Sequence, residues 1–158
     1  MATTDVLNVF DDEWEEPSRP RPDGFACKSL GVGRALGGEL LGATVYELPP
    51  GQKMFPYHWH AANEELVVVL GGTPTLRTPE GERVLEPGEL VVFPRSPDGL
   101  HQVRNDTEEP ARLFMVSTKA APEIVEYPDS GKIGFFTGHG PPRLLRGDAE
   151  VGYWDGEA

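Results

Sequence analysis

Between Leu40 and Thr118 the chain alternates short apolar runs with breaks rich in turn-forming residues. The runs are ATVYEL (43–48), ELVVVL (65–70), TLRT (75–78), RVLE (83–86), ELVVFP (89–94), HQVRN (101–105) and ARLFMVST (111–118). Between them lie PPG, ANE, GGTP, TPEG, EPGE, RSPDG and NDTEEP. Each break carries Gly, Pro, Asn or Asp, which supply the dihedral angles of tight turns. Short β-branched-rich runs at this spacing predict an antiparallel sandwich or barrel, an all-β fold. No stretch in this region has a helical period with caps.

The flanks read differently. Residues 1–24 hold a short apolar start (Val6, Leu7, Val9, Phe10), an acidic cluster (Asp11, Asp12, Glu13, Glu15, Glu16) and a Pro-rich stretch from Pro17 to Pro22. They predict an extended N-terminal arm, with a single domain over 25–158. Trp14 lies among the acids, and a solvated indole is costly, so it is expected to pack on the barrel or on a partner subunit. In the tail, 119–158, IVEY (124–127) and IGFF (133–136) are strand candidates, and GHGPPR is a loop. The final RLLRGDAEVGYW is expected to form a short turn or a last strand.

Composition narrows the class. A chain of 158 residues with 19 Gly and 16 Pro has little room for long helices. Its net charge of −12 disfavours phosphate backbones and anionic lipid, so neither nucleic acid nor membrane is an expected partner. One cysteine, Cys27, forms no internal disulfide and no thiolate zinc site. The acidic start lacks the basic and apolar regions of a signal peptide, and Leu66–Leu70 is far short of a membrane span. The expected compartment is the reducing cytoplasm.

The chemistry lies in the histidines. His58 and His60 are two apart, so on a strand they share a face and can grip one cation. A turn through Ala61-Ala62-Asn63 would bring Glu64 back beside them, whereas Glu65 has the opposite parity. His101 stands on a later run. Imidazole plus carboxylate without thiolate suits Fe, Mn, Ni, Zn or Cu. It leaves coordination positions open, as catalytic sites do.

The segment from Gly51 through His58-Trp-His60 and Glu64 to Gly71 resembles the first motif of the cupin superfamily: G, five or six residues, H-x-H, three or four residues, E, six residues, G. That spacing favours Glu64 over Glu65. The second motif, G, five residues, P-x-G, two residues, H, three residues, N, is matched at Gly88, Pro94, His101 and Asn105. The turn before His101 departs from it through an insertion around Gly99. The resemblance covers residues 40–118. It implies a small single-domain cupin, a double-stranded β-helix or jelly-roll barrel. Its metal would be held by His58, His60, Glu64 and His101. Leu66, Val68 and Leu70 would share Glu64's face and line the interior. Asn105 would support rather than ligate.

Other candidate motifs fall away. Gly31-Val-Gly33-Arg-Ala-Leu-Gly37 has its third glycine one place late for a dinucleotide loop and reads as a loop. Asp129-Ser130-Gly131-Lys132 reads as a turn, His139 as a loop residue and Cys27 as a packed thiol.

The resemblance implies either a metal-dependent enzyme on a small organic molecule or a non-catalytic small-molecule-binding or sensing cupin. The interior candidates near the motifs are mostly aliphatic, which leans toward metal-borne oxidation, an oxidoreductase such as a dioxygenase, or toward binding only. The catalytic residues stay unassigned, no organic cofactor is indicated, and the cofactor is one divalent transition metal ion of unspecified identity. Tyr46, Arg77, Arg95 and Arg104 are polar candidates near the mouth, their faces unassigned. A homodimer, paired through barrel faces and an exchanged N-terminal strand, is expected.

Overall fold

The structure, a computed structural model, describes residues 6–16, 20–148 and 150–157. In chain order the strands are β1 (Lys28–Leu30), β2 (Leu41–Leu48), β3 (Trp59–His60), β4 (Glu65–Gly71), β5 (Thr75–Thr78) and β6 (Gly81–Val84). They continue as β7 (Leu90–Phe93), β8 (Gln102–Arg104), β9 (Ala111–Thr118), β10 (Glu123–Tyr127), β11 (Lys132–Phe136) and β12 (Arg143–Arg146). β5 and β9 coincide with their predicted runs. β6 starts two residues earlier, because the Gly81 turn begins the pairing that Leu85, buried just beyond it, closes. A one-turn helix, Val32–Ala35, sits in the segment expected to be a loop and buries Val32.

The strands form three antiparallel sheets, ordered β1-β2-β9-β4-β7, β12-β11-β10-β3 and β6-β5-β8. In a strand alternate residues face the same way. Leu48 of β2, Val67 and Val69 of β4, Phe93 of β7, and Ala111, Leu113 and Met115 of β9 therefore point inward together. They meet Leu76 of β5 and Val103 of β8 in one continuous core. The barrel, double-stranded β-helix architecture is thus an antiparallel all-β fold, as expected.

Parity in β4 corrects one expectation. The buried row is Glu65, Val67 and Val69, while Leu66, Val68 and Leu70 face outward. Cross-strand neighbours extend that outer surface: Val68 lies between Leu90 and Phe114, and Leu66 between Val92 and Val116. Leu90 and Val92 are exposed. The outside of the large sheet is therefore apolar as well as the inside.

The described part of the arm lies on this chain's own barrel. Glu15 N–H donates to Ser29 O at 2.9 Å, extending the sheet beyond β1. The Trp14 ring sits under the Lys28 ammonium (5.7 Å) and the Arg112 guanidinium (5.0 Å). Arg112 in turn pairs with Asp12 at 2.6 Å and Glu47 at 2.9 Å. Phe10 is exposed. Among the described residues no helix is long and apolar enough to cross a membrane.

The insertion before His101 folds as a compact 3₁₀ turn, Pro97–Gly99. A Cβ on Gly99 would lie 2.0 Å from Pro94 O, so only glycine lets this turn close. At the far end of β4 a register irregularity between Val69 and Gly71 brings Gly72 over β9 with φ +74°. There a Cβ would meet Ala111 Cα at 2.7 Å, whereas one on Gly71 would meet nothing within 4 Å. Gly72→Ala is therefore expected to cost about 2 kcal/mol or more in urea unfolding, and Gly71→Ala only a few tenths. Equal losses would contradict this packing.

Candidate metal centre

His58 and His101 are direct cross-strand neighbours. His58 N–H donates to His101 O at 3.1 Å, and His101 N–H to His58 O at 2.9 Å. His60, two residues on, falls on the same face. β10 pairs with β3 through Val125 and His60, which fixes that segment against the tail. The carboxylate comes from the opposite sheet, at the head of β4. The Nε2 atoms of His101, His60 and His58 lie 3.3, 3.4 and 3.9 Å from one atom, Glu65 Oε2. The ligand atoms of His58, His60 and Glu65 all lie within 4.8 Å of one another. Phe93 stacks flat on the His101 ring, with centroids 3.6 Å apart.

The surroundings fix which nitrogen is free. His58 Nδ1 lies 2.7 Å from Pro56 O, and His101 Nδ1 2.8 Å from Gly99 O. A carbonyl only accepts, so each Nδ1 carries the proton and each Nε2 presents its lone pair. Beside His60 the Glu123 carboxylate makes a charge contact, with Oε2 at 3.5 Å from Nδ1, and no hydrogen bond fixes that ring. Glu123 is itself anchored: its Oε1 accepts from Ala61 N and Ala62 N, both at 3.0 Å, and its Oε2 accepts from the Asn63 amide.

These residues fit a metal ion. Both ring nitrogens of His60, His101 Nε2 and Glu65 Oε2 are buried without a hydrogen-bond partner among the described residues. Buried polar atoms are seldom left so, because each forfeits its hydration. Ligands held at ~2.1 Å from a shared ion lie about 3.0–3.5 Å apart, close to the separations seen here. Burial, together with the neighbouring His101, pushes the His58 pKa down to about 4. Burial alone would raise the Glu65 pKa, but the facing imidazoles of His101 and His60 outweigh it and hold the carboxyl well below the usual range. At neutral pH the pair is in its ligating form, neutral imidazole and carboxylate.

Glu64, the carboxylate expected at this position, does not join the cluster. It is exposed, and its N–H donates to Thr118 Oγ1 at 3.1 Å. The reason is the glycine pair. Counting six residues links Glu64 to Gly71 and Glu65 to Gly72 equally well, and the glycine that the backbone requires is Gly72. His58, His60 and His101 are brought together as expected. Asn105 is a brace: its Nδ2 donates to Leu48 O and Glu109 O, and its Oδ1 accepts from Thr107.

The cluster sits in a cavity of about 550 Å³ whose walls include Tyr46, Phe55, Asn63, Met115, Tyr127 and Phe136. β10 and β11 close its side, so the tail supplies Glu123 and Tyr127, which the motif region alone does not indicate. Burial pushes the Tyr46 pKa up to about 12 and raises that of Tyr127. Both phenols are therefore protonated donors at neutral pH. Of the other polar candidates, Arg77 pairs with Asp129, Arg104 with Glu82 and Asp106, and Arg95 is exposed. His139 is exposed, and burial raises the Cys27 thiol pKa.

Zinc dialysis followed by elemental analysis separates the two carboxylates. Glu65→Gln is expected to lower affinity about 100-fold or more and Glu123→Gln about 10- to 100-fold, with Glu64→Gln unchanged. Loss on Glu64→Gln, with retention on Glu65→Gln, would contradict the assignment.

A family model described as a cupin domain matches residues 44–117. A sugar phosphate isomerase of the cupin superfamily from Silicibacter pomeroyi is 30% identical, with TM-score 0.75 over 84% of this chain and 83% of that one. An Acidithiobacillus ferrooxidans protein, provisionally assigned as a sugar phosphate isomerase, is 26% identical, with TM-score 0.77 over 82% of this chain and 81% of that one. A polyketide cyclase from Streptomyces resistomycificus shares the fold at 20% identity and TM-score 0.61, covering 75% and 81%. No curated protein matches the chain. The barrel, the two motifs and this likeness make the chain a member of the cupin superfamily.

Proposed function

We propose that the protein is a metal-dependent enzyme that moves protons on a small, oxygen-rich organic molecule, with a sugar phosphate as the leading substrate class. The observation that carries this reading is the cavity wall. The expectation of an oxidoreductase rested on an aliphatic interior, yet protonated Tyr46 and Tyr127 flank the histidine cluster. Two of the similar proteins named above as sugar phosphate isomerases support the same class.

His58, His60, Glu65 and His101 would hold the ion. When bound there, a divalent ion supplies Lewis acidity to a substrate carbonyl or hydroxyl. The chain's own residues do the rest. The carbonyls of Pro56 and Gly99 keep two of the imidazoles oriented, and Glu123 lies beside the third. Phe55, Met115 and Phe136 exclude water from one side of the cavity. The Tyr46 and Tyr127 phenols offer hydrogen bonds, and a proton, to substrate oxygens.

Zinc- or manganese-loaded protein incubated with aldose and ketose phosphates in D₂O tests the reading by NMR. Deuterium is expected to enter beside the carbonyl, and Tyr127→Phe is expected to lower kcat about 100-fold with metal content unchanged. Oxygen uptake without exchange would favour oxidation. Recovery of every sugar unchanged, with tight binding, would favour a non-catalytic binding cupin.

The apolar outer face of the large sheet, from Leu90 and Val92 across to Phe114 and Val116, supports a homodimer formed there. Sedimentation is expected to give twice the chain mass, and Leu90→Glu with Val92→Glu the single mass. A wild-type monomer at micromolar concentration would contradict it.

A further inference from the structure

Several cations of this acidic chain have carboxylate partners: Lys28 with Glu47, Arg34 with Glu15, Arg83 with Glu89, and Arg104 with Glu82. Arg21, Lys53 and Lys132 have none among the described residues, and all three line one further cavity of about 520 Å³. The acid at that cavity, Asp129, is committed to Arg77 through contacts of 2.6 and 3.0 Å. On a chain of net charge −12, this cavity is locally positive.

Its walls are apolar and aromatic, including Phe25, Phe55 and Tyr57. Arg21 is pinned at the edge: its Nη1 donates to Phe25 O at 3.2 Å and Met54 O at 2.8 Å, and its guanidinium lies 5.1 Å from the Phe55 centroid. Lys53 Nζ lies 5.6 Å from the Phe25 centroid, and Lys132 Nζ 5.3 Å from that of Tyr127. Cations gathered without counter-charge repel one another, although this chain has carboxylates in excess. Concave apolar walls with a few convergent charges are the usual form of a small-molecule site.

We propose that this cavity binds a small organic anion with a planar apolar body, its phosphate, sulfonate or carboxylate facing Arg21, Lys53 and Lys132. The site is separate from the metal centre: the two cavities share only Phe55 and Pro56 in their walls. The proposal does not depend on the reaction proposed above. An occupant would lie against the segment whose Pro56 carbonyl orients His58.

Titration of the full-length, isotope-labelled protein with 1-naphthyl phosphate, followed by amide shifts, tests it. Saturable binding is expected, with shifts at Phe25, Lys53, Tyr57 and Lys132. Lys53→Glu with Lys132→Glu, and the milder pair Lys53→Gln with Lys132→Gln, are expected to weaken binding, the former about tenfold or more. His60→Ala and the remote charge reversal Arg143→Glu should leave it unchanged, and uncharged 1-naphthol should bind about tenfold more weakly or worse. The proposal is overturned by no shifts at millimolar ligand, or by shifts centred on Tyr46 and Tyr127 that vanish in His60→Ala. It is equally overturned by an equal loss in Arg143→Glu or by naphthol binding as tightly as its phosphate.

Discussion

The carboxylate of Glu65 is the group to which the rest of the centre answers. It is charged, largely withdrawn from water, and aimed at three imidazole nitrogens, two of them held with their lone pairs forward by backbone carbonyls and the third beside Glu123. Burying such a charge costs several kcal/mol unless a counter-charge compensates it. Neutral His58 supplies none. His60, raised by its two carboxylates against the effect of burial, supplies at most part. A divalent cation satisfies all four ligand atoms at once. The sheet arrangement brings the ligands together: β4 delivers the carboxylate from one sheet, β3 delivers His60 from another, and the His58–His101 bridge adds the other two imidazoles.

Much of this was legible in the sequence, for definite reasons. The turn residues between apolar runs located most of the strands, and the two-residue spacing of His58 and His60 put them on one face. His101 was legible from its distance to Asn105, although the stretch from Pro94 is longer than the motif's. The choice between Glu64 and Glu65 was not. Leu66 to Leu70 is aliphatic at every position, so hydrophobic alternation cannot say which carboxylate heads the inward row. The outer face is apolar too, which erases the signal that a solvated face would have left. Glycines at both 71 and 72 then removed the remaining guide, since only the backbone distinguishes them.

The tail was least legible, and it matters most for chemistry. Glu123 and Tyr127 lie beyond the motif region and reach the site only because β10 pairs with β3. A pairing between residues so distant in sequence leaves no local pattern. The same strand pair changes the functional reading, replacing a cavity thought to be aliphatic with one that carries proton donors. It also leaves Phe55 and Pro56 as a thin wall between two cavities of opposite character, one built around a carboxylate and one around cations.

If Glu65 and the three histidines form a metal centre, the ion is found by elemental analysis of the protein. Untagged protein, never exposed to chelator, would be assayed by elemental mass spectrometry as purified and again after reloading with Fe, Mn, Ni, Cu or Zn. Close to one transition-metal ion per chain is expected. A chain that carries none of these ions and takes up none on reloading would contradict the metal centre.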